Sequence, residues 1–153
     1  MAKIQYWLFK TEPETYSFEQ LRSDKKTHWN GVRNFQARNF LKLAKKGDQV
    51  VVYHSGNERA AVGVASIVKE QYEDPDAEFP PKTWVQVDIG FENAFLSPVR
   101  LSEIKANPTL KAMMLVKQSR LSCMPVTEAE FEEILRLGRK KPATPKGIKI
   151  KKK

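Results

Sequence analysis

Large aromatic residues stand beside polar and turn residues at three separate points of this 153-residue chain. A planar heterocycle requires such surroundings, because aromatic rings stack on its faces while amides and hydroxyls hydrogen-bond its edge. Each ring alone could instead close one end of a hydrophobic core, since tryptophan is usually partly buried. The three places together favour a binding pocket, and they are Trp29 with Asn30 and Asn34, Tyr53 with His54 and Ser55, and Trp84.

The usual signatures of an enzyme are absent from the sequence. It contains no G-x-x-x-x-G-K-S/T, G-x-G-x-x-G, G-x-S-x-G or H-E-x-x-H motif, and no zinc-deaminase signature. One cysteine and two histidines supply neither an internal disulfide nor a four-ligand Cys/His zinc site. We therefore predict no catalytic residue, no metal and no cofactor.

Three residues could still take part in catalysis, and two of them have a simpler interpretation. Cys123 is expected to be a buried, unreactive thiol, because cysteine commonly packs as a small hydrophobe. His28 is expected to lie in a loop or at the rim of a pocket. The enzymatic alternative is a protein acting on a small heterocycle or nucleotide, with His54 as the base and Glu12 or Asp88 as its partner.

The net charge of +9 is concentrated at one end of the chain. Residues 139–153 hold eight lysine or arginine side chains and no acid, whereas residues 1–138 hold 19 cations against 18 acids. We predict a folded domain over 1–138 and a basic, disordered tail over 139–153. The tail could merely solubilise the protein, or it could add salt-sensitive attraction to phosphates. Within the domain, Arg38, Lys42 and Lys45 recur at helical spacing.

Length and hydropathy indicate one globular, intracellular domain. No apolar run approaches the roughly 18 residues of a membrane span, and the first residues lack the apolar stretch of a secretory signal. We expect the protein in the cytoplasm, associated with the nucleoid in a bacterium, or in the nucleus of a eukaryote.

Capping residues and apolar spacing predict four helices. Ser17 with Gln20 and Thr127 with Glu130 have the spacing of capping boxes, which begin helices. Apolar residues at 37, 40, 41 and 44 recur at helical spacing, and the Lys-Lys-Gly sequence that follows is typical of a helix end. A short helix is predicted at 102–106, before an Asn-Pro pair.

Four runs rich in β-branched and aromatic residues predict strands. The second and third should pair as an antiparallel hairpin, because only five residues with turn character separate them. In the fourth, Trp84, Gln86 and Asp88 share one face, and three apolar residues share the other. The four runs are residues 6–10, 49–54, 60–68 and 83–91.

The order of these elements differs from the strand-helix alternation of a parallel sheet. Strands dominate the middle of the chain, and the short helices lie in connections. We therefore predict an α+β fold, namely a small mixed, mainly antiparallel β-barrel with short helices packed around it.

Four separated motifs follow one another along the chain: YWLFKTEP at residues 6–13, WNGVRNFQARN at 29–39, YHS at 53–55 and QSRLS at 118–122. In type and order they resemble the EVE domain family, over about residues 4–137. The resemblance implies a PUA-like fold, related to the YTH domains that read methylated adenine in RNA. It also implies a pocket for a modified base, such as 5-methylcytosine or 5-hydroxymethylcytosine in DNA. Phe35 departs from the family pattern, which often has tyrosine there.

Position by position, the resemblance implies roles for particular side chains. Trp29 would form one wall of the pocket, and Trp84 the second stacking face. Arg33 could instead form an ion pair with Glu12, and the helix cations could simply be solvated. The implied base-pocket residues are Lys10, Glu12, Trp29, Asn30, Asn34, Tyr53, His54, Ser55, Trp84, Gln118, Ser119 and Arg120. The candidates for phosphate binding are Arg33, Arg38, Lys42 and Lys45.

Two binding hypotheses follow from these residues. In the first, a non-enzymatic module, assumed to be a monomer, flips a modified base out of DNA and stacks it between Trp29 and Trp84. In the second, the ligand is RNA, whose single-stranded loops offer unstacked bases without the cost of flipping. Nucleic acid is the predicted partner in both, and a membrane in neither.

Overall fold

The computed structural model describes residues 4–75 and 84–139. Most of the predicted basic tail, and the centre of the loop between residues 74 and 84, therefore lie outside the described residues. The strands are β1 Tyr6–Thr11, β2 Lys26–Trp29, β3 Gln49–His54, β4 Ala60–Glu73, β5 Val85–Arg100 and β6 Cys123–Val126. The helices are α1 Phe18–Asp24, α2 Phe35–Leu43, α3 Leu101–Ala106, α4 Met114–Lys117 and α5 Glu128–Gly138.

The predicted capping residues begin their helices as expected, with one difference. At α5, the Thr127 hydroxyl accepts from the Glu130 backbone and the Glu130 carboxylate accepts from the Thr127 backbone, a complete capping box. At α1, Ser17 accepts from the backbone N–H of Gln20, but the Gln20 side chain donates to Asp24 instead of returning to the cap. Only half of that capping box is therefore formed.

Helix α2 confirms the prediction from apolar spacing. Ala37 and Leu41 are buried, and Ala44 at the C-cap is buried with them. Asn34 is the N-cap, and its side-chain oxygen accepts from the backbone N–H of Ala37 at 2.9 Å. The C-cap, Ala44, is extended, and Gly47 lies three residues later, in the turn before β3, with a φ of +94° that favours glycine.

The described strands form one mixed sheet in the order β2-β5-β4-β3-β1-β6, which confirms the predicted α+β class. Strands β3 and β4 pair antiparallel, as the short loop between them predicted. Strand β1 pairs with β3 in parallel and with β6 antiparallel. Strands β4 and β5 are longer than predicted, and four irregularities in their register bend them along their length.

The sheet curls strongly, so that its edge strand β2 returns to β1. Four strand spacings separate β2 from β1 in the sheet order, which would place them about 19 Å apart if the sheet were flat. The ring centroids of Phe9 on β1 and Trp29 on β2 are instead 5.6 Å apart. Such curvature gives a barrel-like shape, with a seam between β2 and β1 that strand hydrogen bonds do not close among the described residues.

The core fills the interior of this curled sheet, and both faces of β5 are covered over its first six residues, 85–90. Val85, Val87 and Ile89 are buried, as predicted. The face that carries Trp84 and Gln86 is buried as well, because Gln86 is 2% exposed and Trp84 8%. Within residues 4–75 and 84–139, no helix is long and apolar enough to span a membrane, and no cluster of metal-binding side chains occurs.

Candidate functional site

A cavity of about 620 Å³ lies at the seam where β2 returns to β1. It receives residues from both strands, from the β1–α1 loop and from the segment between β2 and α2. Its volume lies within the range of small-molecule sites in proteins. Its described lining is Lys10, Thr11, Thr15, Tyr16, Thr27, His28, Trp29, Asn30, Gly31, Val32, Arg33, Asn34 and Ser122.

Two aromatic rings form the apolar part of this lining. Trp29 is only 8% exposed, and its ring packs against Phe9 in the core. Tyr16 meets Trp29 edge-on, with centroids 6.5 Å apart, and its hydroxyl donates to Asp24 at 2.8 Å. Sequence reasoning identified Trp29 and missed Tyr16. The signal available was an aromatic residue directly before the Ser17 cap.

The buried carboxylate of Asp74 holds the segment that carries Asn30 and Asn34. The backbone N–H of Gly31 donates to Asp74 Oδ2 at 2.9 Å, and Arg33 Nη1 donates to the same oxygen at 3.0 Å. The Asp74 side chain is 0% exposed, whereas that of Arg33 is 39% exposed. Arg33 therefore does form an ion pair, with Asp74 in place of the expected Glu12.

Lys10 connects β1 to the segment that carries the QSRLS motif. Its Nζ donates to the backbone oxygen of Ser119 at 2.6 Å and lies 5.9 Å from the centroid of the Tyr53 ring. Burial lowers the pKa of Lys10 from its ordinary value. The ammonium thus lies between the large cavity and the neighbouring 118–120 segment.

A second cavity, of about 350 Å³, adjoins the first at Asn34, which lines both. Three predicted pocket residues, Gln118, Ser119 and Arg120, line this smaller cavity. The structure therefore groups the predicted residues into two adjoining spaces. Lys10, Trp29, Asn30 and Asn34 line the large one, and Gln118, Ser119 and Arg120 line the small one together with Asn34.

His28 lines the large cavity, and its ring is hydrogen-bonded to Asp88. Its Nδ1 lies 2.8 Å from Asp88 Oδ1, and the Tyr72 hydroxyl donates to the same oxygen at 2.6 Å. Burial raises the pKa of Asp88, but hydrogen bonds from Tyr72 and His28 and nearby cations outweigh it, so the pKa lies below its ordinary value. The imidazole is therefore oriented by a carboxylate, although 67% of the side chain is exposed.

His54 has a structural role that conflicts with its expected place in the pocket. Its Nε2 accepts from the backbone N–H of Phe18 at 3.0 Å, which assigns the proton to Nδ1, and Nδ1 donates to Glu58 at 2.8 Å. Both ring nitrogens are engaged, and the side chain is buried. One of its suggested catalytic partners is also engaged elsewhere, because Asp88 pairs with His28.

Four other predicted pocket residues are absent from the described linings of both cavities: Glu12, Tyr53, Ser55 and Trp84. Tyr53 is buried in the core, and the Ser55 backbone N–H donates to Thr11 at 2.9 Å. The Glu12 carboxylate lies against Gly56. Tyr53 and His54 are thus buried by the inward course of β3, whereas Ser55 follows the strand and is half-buried.

Trp84 is also placed differently from the predicted second stacking face. Its ring stacks on Phe35, with centroids 5.0 Å apart and an interplanar angle of 23°. The guanidinium groups of Arg33 and Arg38 lie 5.6 and 5.7 Å from its centroid. Trp84 therefore belongs to a cluster beside the large cavity and does not form a sandwich with Trp29.

The remaining candidate cations lie on or just after α2. Arg38 is half-buried, with its guanidinium 4.9 Å from the Phe35 centroid. Lys42 and Lys45 are exposed, and the backbone N–H of Lys45 donates to the buried carboxylate of Asp48. Arg38 therefore lies in the first half of α2, which Asn34 begins, whereas Lys42 and Lys45 lie at or just beyond its C-terminal end.

Chemically, the large cavity can bind a planar, polar ring. Trp29 and Tyr16 supply apolar contact, while Asn30, Asn34 and the backbone between them supply donors and acceptors.

Cys123 is fully buried, and burial raises the pKa of its thiol to about 12, as expected of an unreactive cysteine.

Comparison with known proteins identifies close relatives of this chain. Thymocyte nuclear protein 1 of Gallus gallus is 39% identical, over 92% of this chain and 72% of the relative. The Homo sapiens protein is 34% identical, over 90% of this chain and 76% of the relative.

Solved structures show the same fold. The human THYN1 protein in complex with DNA containing 5-methylcytosine has a TM-score of 0.82 at 34% identity, over 90% of this chain and 99% of that one. A protein from Agrobacterium tumefaciens has a TM-score of 0.83 at 39% identity, over 92% and 99%. The model of the EVE domain family matches residues 5–137, and with these relatives it shows that the chain belongs to the EVE domain family.

Proposed function

We propose that this protein is a non-enzymatic nucleic-acid-binding module that recognises a modified base, such as 5-methylcytosine or 5-hydroxymethylcytosine in DNA. The base leaves the duplex and enters the cavity at the seam, where it lies against Trp29. The observation that carries the proposal is this cavity, with an aromatic wall and an amide-bearing edge, in a chain similar to a protein solved with 5-methylcytosine-containing DNA.

The energetics require contacts beyond the cavity. Flipping a base costs a few kcal/mol, and stacking on an aromatic side chain contributes about 1 to 3 kcal/mol, so the two nearly cancel. Phosphate contacts must supply the remainder, and the exposed Lys42 and Lys45 are suited to this because their ammonium groups are accessible. Burying one added methyl group contributes about 0.8 kcal/mol, or roughly fourfold in affinity. The expected preference for a methylated base is therefore several-fold.

Binding without catalysis agrees with the state of the candidate catalytic groups. His54 uses both ring nitrogens in the fold, and Cys123 is buried with a raised pKa. His28 is oriented by Asp88 and lines the cavity, which suits it to hydrogen-bond a base or a phosphate. We propose that it acts as a binding residue.

The proposal is tested by competition of the full chain for identical duplexes that carry cytosine, 5-methylcytosine or 5-hydroxymethylcytosine at one position. Moderate salt suppresses the sequence-independent attraction of the lysine-rich residues 139–153. We expect a several-fold preference that Trp29→Ala abolishes and Trp29→Phe, which keeps a ring, retains in part. Thermal unfolding of each variant shows whether it is folded.

Equal affinity of the wild-type protein for all three duplexes would overturn the proposal that the protein recognises modified cytosine. A parallel titration with single-stranded RNA of the same sequence then decides whether RNA is the ligand, and incubation with modified nucleosides followed by mass spectrometry detects any turnover. Localisation remains a prediction: the cytoplasm, the nucleoid of a bacterium or the nucleus of a eukaryote.

A further inference from the structure

Phe35 presents a large apolar ring to solvent directly beside the two cavities. It is the first residue of α2 and is 61% exposed. The preceding residue, Asn34, lines both the large and the small cavity. Phe35 itself is in neither described lining, but Arg33, which lines the large cavity, lies 5.6 Å from the centroid of Trp84, on which Phe35 stacks, so the ring stands beside the space proposed to hold the base.

The Phe35 ring is supported from the core side and open on the other. It stacks on Trp84 at 5.0 Å with an angle of 23°, and Trp84 is only 8% exposed. A buried tryptophan thus fixes the orientation of an exposed phenylalanine. Such preorganisation lowers the entropic cost of stacking another flat ring on it.

The charges around this ring favour a nucleic-acid strand over an apolar protein surface. The Arg38 guanidinium lies 4.9 Å from the Phe35 centroid, and both Arg38 and Arg33 lie within 6 Å of the Trp84 centroid. Aromatic rings combined with arginine are the usual platform for bases of a single strand, because the ring stacks on the base while the cation attracts the phosphate.

We propose that Phe35, supported by Trp84 and flanked by Arg38, is a second stacking platform, which binds the base adjacent to the one held in the cavity. This inference rests on the proposed function for the class of ligand, but it does not depend on which base is modified. It assigns the Phe35–Trp84 pair to affinity for the strand and leaves selection of the modified base to the cavity.

The test uses the full chain and duplexes that carry 2-aminopurine next to 5-methylcytosine or next to cytosine. Binding and 2-aminopurine fluorescence are measured for the wild type, for Phe35→Ala and for Phe35→Tyr, which keeps a ring. Leu43→Ala is the matched control, because Leu43 lies in the same helix and is 60% exposed.

We expect Phe35→Ala to weaken binding about fivefold to a hundredfold, equally for modified and plain duplexes. In the wild-type complex, stacking on Phe35 quenches the fluorescence of 2-aminopurine, and Phe35→Ala should remove this quenching. Phe35→Tyr and Leu43→Ala should remain within about twofold of the wild type, since a ring is retained in the first and the platform is intact in the second. Thermal unfolding should change little, because the Phe35 ring is exposed.

The outcomes separate this proposal from the proposed function. If the wild type prefers the modified duplex and Phe35→Ala binds as tightly as the wild type, the platform proposal is overturned and the proposed function is not. Binding that depends on Phe35 but not on modification supports the platform and overturns modified-base recognition. Self-association that Phe35→Ala abolishes, with nucleic-acid binding unchanged, shows that the ring contacts a second copy and overturns the platform. Absence of any nucleic-acid binding overturns both.

Discussion

Replacing Asp74 should loosen the segment that forms the polar edge of the cavity. This carboxylate is fully buried and accepts hydrogen bonds from Gly31 and Arg33, while its backbone N–H donates to Trp84 at 3.0 Å. It therefore joins the 30–34 segment to the residues beside β5. The residues it holds include Asn30 and Asn34, both of which line the cavity.

The expected magnitude follows from the two bonds to Asp74 Oδ2. A hydrogen bond to a charged group contributes about 1.5 to 3 kcal/mol and a neutral one about 0.5 to 1.5. The Arg33 bond counts at the low end, because that side chain is 39% exposed and solvent screens the pair. Asp74→Ala removes both bonds and should lower the free energy of unfolding by about 3 kcal/mol. Asp74→Asn keeps a neutral acceptor and should cost about 1 to 2 kcal/mol.

Urea unfolding measures this loss of stability, and competition between modified and plain duplexes measures its effect on the site. Asp48→Asn is the matched control, because Asp48 is also a buried carboxylate and accepts from Trp7 Nε1 at 2.9 Å and from the backbone of Gln5 and Lys45. All three variants should lose stability, but only the two Asp74 variants should lose preference for the modified base. If Asp74→Ala keeps both its stability and the preference, then Asp74 does not hold the site.

Three further predictions concern residues that do not line the large cavity. Gly63→Ala should lower the free energy of unfolding by about 1 to 3 kcal/mol or more, since the added methyl would overlap a phenylalanine ring and lie 2.7 Å from a backbone oxygen of β5. In the control Gly90→Ala, the nearest atom is a valine methyl 3.2 Å away, and urea unfolding should show a smaller loss. A thiol reagent at pH 8 should leave Cys123 unmodified in the native protein and react after unfolding, and rapid native labelling would contradict its burial. Asp88 has a lowered pKa, so the stability it contributes is present above its ordinary pKa and is lost as pH falls through the lowered value. Tyr72→Phe should raise the Asp88 pKa in an NMR titration, and an unchanged value would show that the hydroxyl does not stabilise the carboxylate.

Local signals in the sequence predicted the elements that local contacts stabilise. The caps at Ser17 and Thr127 and the apolar spacing of α2 involve residues three or four apart, so the sequence contains the whole interaction. The β3–β4 hairpin is also local, because five residues join its strands. Strands β2 and β6 and helix α4 were missed. The two strands are four residues long and exist through pairing with distant strands, as His28 pairs with Asp88 and Cys123 with Phe9.

The sequence alone determined the class of fold, the family motifs and three residues that line the cavity, Trp29, Asn30 and Asn34, because residue types decide which chemistry is available. Only the tertiary structure decided which of those residues meet. The curl of the sheet brings β2 back to β1 and forms the cavity, whereas the course of β3 buries Tyr53 and His54. Likewise, Trp84 stacks under Phe35 instead of facing Trp29. Side-chain direction and long-range strand closure depend on contacts between residues far apart in the chain, which neighbouring residue types do not specify.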